Sequence, residues 1–229
     1  MKRNQDYKNA GLAALKGNWE RAIIVAFIMM AVSAITNFMI WLTDFIFQKN
    51  DVLSQDNEWA YPILGVSIAL CLLLFLVLCV LPLTVGCINS FSRMYSGLER
   101  NPLTYLKKEA FVSKIRTSST MLLMSLIASV CSLALLVPGI MASLSLFLTP
   151  YLLKDNPELS IVGTLRLSRD MMKGHKMQLF KLQLSFLGWI FLNILTLGIG
   201  TLWLFPYMMT TMAAFYQDVR TEYLLKQQL

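Results

Sequence analysis

Residues 59–92 read WAYPILGVSIALCLLLFLVLCVLPLTVGCINSFS, and no charged side chain interrupts them. As one helix this stretch would extend roughly 51 Å at about 1.5 Å per residue. The hydrocarbon core of a bilayer is only about 30 Å thick. The helix must therefore tilt or project beyond the membrane, and Pro82 predicts a kink within it. Charge-free stretches recur between Arg21 and Asp44, between Arg116 and Lys154, and between Lys181 and Asp218. Each exceeds the roughly 20 apolar residues that cross a bilayer as a helix. The pattern predicts an all-α fold, a polytopic transmembrane helical bundle of about six spans.

Composition agrees. The chain has 229 residues, 56% of them hydrophobic and 14% charged, where a soluble domain carries about 25% charged residues. A formal charge of +7 would point to nucleic acid in a soluble protein. Here basic residues flank apolar stretches, as they do on the cytoplasmic side of membrane proteins. No nucleic-acid motif accompanies them, so no nucleic-acid partner is expected. The first apolar stretch is longer than the 7–15 residues typical of a signal peptide's core, and reads as a retained span.

The distribution of Lys and Arg sets the topology. Residues 1–21 form a polar lead-in. Leu12, Leu15 and Trp19 make one apolar stripe with Lys8 and Lys16 off it. This is either an interfacial helix or a cytosolic turn. Longer spans follow at 22–47 and 62–95, separated by an acidic outer loop, and residues 96–117 form a basic cytoplasmic segment. Residues 118–153 and 180–217 each have basic flanks, so both ends of each belong inside. Short hairpins satisfy this, turned at Pro138-Gly139 and at Gly198-Ile199-Gly200. Their arms are marginal for a full crossing, so re-entrant hairpins stand as the rival reading. With residues 218–229 as a tail, both termini lie in the cytoplasm of a multi-pass cell-membrane protein. Among the Lys and Arg residues, Lys49 alone falls outside.

Cys71, Cys79, Cys87 and Cys131 lie within apolar stretches and form no CxxC. They read as buried free thiols, with no metal site. Ala14-Leu15-Lys16-Gly17 and Met171-Met172-Lys173-Gly174 each precede an apolar helix. This echo hints at a duplicated parallel unit.

A family resemblance follows from Pro138-Gly139-Ile140, Asp155-Asn156-Pro157-Glu158-Leu159-Ser160, and Ser168 through Lys176. Leu184 through Trp189, Gly198-Ile199-Gly200, Pro206-Tyr207, Phe215-Tyr216 and Ala14 through Trp19 add to it. The chain resembles the bacterial integral membrane family known as domain of unknown function 975. More loosely, it is similar to the membrane domain fused to some glycerophosphodiester phosphodiesterases. The resemblance implies the membrane architecture and brings no activity or site residues.

Segment 160–176 carries the most chemistry. On one interfacial helix, Arg166, Arg169, Lys173 and Lys176 would share an arc of about 80° beside Ile161, Leu165 and Met172. Ser160 is the expected N-cap. Arg166, Arg169, Lys173, His175 and Lys176 are the candidate site for an anionic lipid headgroup or ligand. Ordinary anchoring of a surface helix explains the same stripe. His175, the sole histidine, lacks a catalytic partner in sequence. No GxSxG, HExxH, Walker A or Rossmann pattern occurs, so no catalytic residues, metal or cofactor are expected. The expectation is a non-enzymatic scaffold, regulator or partner subunit. The alternative is a small transporter or lipid-handling protein with a site between the helical halves.

Overall fold

The computed structural model describes residues 2–50, 60–98, 114–134 and 136–228. The acidic outer loop and most of the basic segment 96–117 lie outside the described residues. Among those described, all regular structure is helical, and the chain is a polytopic helical bundle. Helix α1 spans Asn4–Leu15, α2 Trp19–Asn50 and α3 Ala60–Phe75. A π-helical turn at Leu76–Val80 joins α3 to α4, Leu81–Tyr95. Then come α5 Lys114–Ala134, α6 Leu136–Leu146, α7 Thr149–Asp155 and α8 Ile161–Met171. The last three are α9 Lys176–Leu184, α10 Leu187–Leu195 and α11 Thr201–Gln227.

Five helical stretches among the described residues are long and apolar enough to cross a membrane. They are Trp19–Phe45, Gly65–Tyr95, Ile115–Ser132, Val137–Asp155 and Lys176–Leu195. The sixth expected span corresponds to α11, which is not among them. Thr210, Thr211, Gln217 and Asp218 dilute its hydropathy, and the protein itself buries much of it, from Pro206 to Val219. The kink expected at Pro82 takes another form. Pro82 lies just after the π-helical turn, inside a helical run continuous from Gly65 to Tyr95, so the irregularity beside the proline is a widened turn on its N-terminal side.

The core gathers at one end of the bundle. Phe91, Leu148, Leu152, Met172, Leu179, Phe186, Phe215 and Tyr216 are buried there together. Helix α1 is part of that core. It packs along α11 through Tyr7, Lys8, Gly11 and Leu15, while Leu12 is exposed. The stripe read from sequence was therefore rotated. Lys8, placed off it, is buried: its Nζ donates to the Ser185 carbonyl at 2.8 Å and stands 4.5 Å from the Phe186 ring centroid. Away from this end, α2, α3 and α10 expose Phe27, Phe38, Val66, Leu73, Phe191 and Leu195, as helices facing lipid do. The thiols follow suit. Cys87 is buried, Cys131 is half-buried, and Cys71 and Cys79 are exposed, against the expectation that all four are interior.

The hairpin turns differ in detail from the sequence reading. Pro138 and Gly139 lie in the first turn of α6. Gly139 lets that arm lie against Ser132 of α5, since a Cβ there would sit 2.2 Å from the Ser132 hydroxyl oxygen. Gly198, at φ 87°, is a true turn residue. Gly200 is the helical N-cap of α11. The Lys-Gly echo has a local meaning too. Gly17 and Gly174 take φ 82° and 85°, so each ends one helix in a left-handed turn before the next begins.

Candidate lipid-headgroup site

The basic segment is two helices, not one. Gly174 breaks it after α8, and α9 starts at Lys176. The single arc expected for Arg166, Arg169, Lys173 and Lys176 therefore does not form. Ser160 caps α8 as expected, its hydroxyl accepting the Gly163 N–H at 3.1 Å.

Helix α8 is fixed on three sides. Its buried face carries Thr164, Leu165, Ser168 and Met171. The Ser168 hydroxyl donates to the Ser145 carbonyl of α6 at 3.0 Å. Arg116 of α5 donates to the Asn156 carbonyl at 3.0 Å and to that of Pro157, tying down the loop that enters α8. With these contacts set, Val162, Leu165, Arg166 and Arg169, spaced at i, i+3, i+4 and i+7, look along one face.

That face borders an open groove of about 480 Å³ between α5, α6 and α8. Its wall is apolar, including Leu123, Ile127 and Cys131 of α5 and Met141 and Leu146 of α6. Leu123 to Cys131 spans roughly 12 Å of helix. Arg166 and Arg169 line the same groove, and Lys176 reaches it from α9. The structure thus brings together three of the five candidate residues. No acidic residue lines the groove among the described residues.

The other two are drawn away. The Lys173 ammonium pairs with Asp170 at 2.8 Å. That hydrogen bond and charge, with a smaller contribution from Arg169, hold the Asp170 carboxyl below its usual range. His175 is buried beneath α11, its Nε2 3.6 Å from a Glu222 oxygen, and its Nδ1 has no partner among the described residues. Elsewhere at this end, Asp218 takes Lys2 at 3.1 Å and accepts the Tyr7 hydroxyl at 2.6 Å. Asp155 takes Arg220 at 2.8 Å and accepts the Tyr216 hydroxyl at 2.5 Å. Glu222 holds Lys226 at 2.7 Å. These acids are committed to other cations, while Arg166, Arg169 and Lys176 form no ion pair with a described residue.

The family described as "Protein of unknown function (DUF975)" matches residues 49–223. The chain belongs to this family. The matched region holds α5, α6, α8 and α9, and so every residue of the groove. No curated protein and no solved structure matches the chain, and the looser likeness to phosphodiesterase membrane domains gains no support. Membership of the DUF975 family thus carries the architecture, and the groove supplies the chemistry.

Sequence reasoning missed the apolar half of this site. Leu123, Ile127 and Cys131 recur at i, i+4, i+8 on α5, but such a stripe in a span reads equally as lipid-facing surface. Only the packing of α8 across α5 and α6 turns it into a wall.

Proposed function

We propose that this chain is a non-catalytic, multi-pass cell-membrane protein that binds an anionic lipid from the cytoplasmic leaflet, with its headgroup on Arg166, Arg169 and Lys176. One observation carries the reading: three cations that form no ion pair with a described residue stand at the mouth of an apolar groove. An anionic amphiphile has that polarity. The groove supports lipid handling over a scaffold with a solid bundle. Orientation rests on the positive-inside argument and on the pairing of Lys2 with Asp218, which holds the two chain ends at one side of the bundle.

Neutralisation tests the binding. Each basic residue near an anionic surface contributes about 1 kcal/mol, so Arg166→Gln with Arg169→Gln should weaken retention of phosphatidylglycerol over phosphatidylcholine by roughly 30-fold. Native mass spectrometry of protein released from mixed nanodiscs reads that ratio. An unchanged ratio overturns the proposal. For orientation, a cysteine replacing Gln228 in a cysteine-free background should be inaccessible to an impermeant maleimide in intact cells and accessible after lysis.

A further inference from the structure

The lining of the groove, taken with the lipid-binding reading above on which this step rests, narrows the headgroup. We infer that the site selects lipids ending in a phosphate monoester over lipids whose phosphate is esterified to a further alcohol.

Two observations lead there. The first is charge. Arg166, Arg169 and Lys176 put three positive charges at the rim of an apolar wall, with no acid among the described lining residues. The nearest carboxylate in sequence, Asp170, is held by Lys173. A phosphodiester brings one negative charge to this rim. A monoester brings about −1.5 to −2 at pH 7, with three strongly accepting oxygens. Two guanidinium forks and one ammonium match three terminal oxygens, with the forks able to bind in pairs.

The second is what the lining lacks. Besides the three cations, the hydroxyl-bearing residue of the groove is Ser145, and its hydroxyl already donates to the Met141 carbonyl at 2.5 Å. The rest of the wall is aliphatic, with one thiol and one thioether. A glycerol, serine or sugar attached to the phosphate would gain no further side-chain hydrogen bond from the described lining beyond the cations and Ser145, whereas a third phosphate oxygen is met by a cation at the rim. A terminal phosphate leaves nothing unsatisfied. The aliphatic wall then receives the acyl chain.

The elements agree with a clamp of this kind. Arg166 and Arg169 come from α8 and Lys176 from α9, on either side of the Gly174 turn. Helix α9 also packs on α6, which positions the helix that carries Lys176 beside the groove.

The test uses the full chain in phosphatidylcholine nanodiscs, supplied with dioleoyl phosphatidate or dioleoyl phosphatidylglycerol, with retention read by native mass spectrometry. Phosphatidate should be retained about fivefold over phosphatidylglycerol at pH 8, since up to one further charge faces the rim. The preference should shrink at pH 5.5, where the monoester's second ionisation, near 6, is largely reversed. Arg169→Gln and Lys176→Gln should each abolish it. Lys181→Gln, an exposed cation outside the groove, should leave it intact, and melting temperatures check that each variant folds. Equal retention of the two anionic lipids, both above phosphatidylcholine, overturns the monoester inference and leaves anionic-lipid binding standing. No retention above phosphatidylcholine overturns both. Displacement of phosphatidate by an equal concentration of glycerol 3-phosphate overturns the lipid assignment in favour of a soluble phosphate.

Discussion

At Gly11 a single hydrogen decides how closely α1 can approach α11. A Cβ there would lie 2.7 Å from the Thr211 hydroxyl oxygen and 2.9 Å from its backbone nitrogen. The nitrogen belongs to a helix and cannot step aside. Gly11→Leu should therefore destabilise the protein by about 3 kcal/mol through overpacking. Gly11→Ala should cost less, because alanine recovers up to about 1 kcal/mol of helix propensity. Thermal melting in detergent reads both, with Gly188→Ala as control, since a Cβ there meets nothing within 4 Å. Asp218 makes the second prediction. Burial raises its pKa, but the Tyr7 hydroxyl and the Lys2 ammonium outweigh burial and hold it below the usual carboxylate range. A depressed carboxyl stabilises the fold above its unfolded pKa, near 3.9, and loses that contribution as pH falls through the native value. Asp218→Asn should thus cost about 1.5 kcal/mol at pH 7. Its melting temperature should converge on that of the wild type below about pH 4. Gly11 and the buried Lys8 also explain why sequence misplaced the packed face of α1, since neither is an apolar signal.

At the scale of elements, the second hairpin has a definite depth. Lys181 is exposed on α9, and from there to Leu195 the chain rises roughly 21 Å, against a core of about 30 Å. The tip is apolar, with Leu197 93% exposed, yet it needs little water. The Gly198 N–H donates to the Asn193 carbonyl at 3.0 Å, the Leu197 N–H to that of Ile194 at 3.1 Å, and the Ile199 N–H to that of Thr196 at 3.1 Å. The Asn193 amide and the Thr201 hydroxyl bond across the arms at 2.9 Å. A turn at membrane depth needs protein or water around it, and these internal bonds reduce what the surroundings must supply. In a cysteine-free background, Leu197→Cys should therefore resist an impermeant maleimide applied from either side. Labelling from the side opposite the chain ends would show a full crossing instead. The helices themselves were legible because charge-free length is a local property of sequence. The break at Gly174 was not, since Arg166, Arg169, Lys173 and Lys176 keep helical spacing straight through it. The groove depends on that break, which sends Lys173 to Asp170 and His175 under α11 while Lys176 returns to the rim.

For the whole molecule, the division of labour runs along the bundle axis. Helix α3, the later part of α2 and the tip of the second hairpin expose apolar side chains to lipid, while the start of α2 is buried in the core at Ala22, Val25 and Ala26. Specific packing is concentrated at the basic end, where α1, α2, α4 and α8 pack on α11 and Tyr151 of α7 stacks on Tyr216. Membrane insertion and tertiary assembly are then separable, because hydropathy drives the first and packing the second. Helix α1 belongs wholly to the second step, since it is too polar to insert and makes its contacts with helices already in place. A chain lacking residues 2–15 should therefore still insert, remaining in the membrane fraction after alkaline extraction. It should lose the cover over Ala214 and Phe215 and the partners of Asp218, and so melt at a clearly lower temperature in detergent. Tyr7, Leu15 and the Lys2–Asp218 pair go together in this variant. Its loss should thus exceed that of Asp218→Asn, at several kcal/mol by the usual cost of deleting buried side chains. Equal melting temperatures for the shortened and complete chains would show that α11 holds its place without α1, and that the core at the basic end closes from the remaining helices alone.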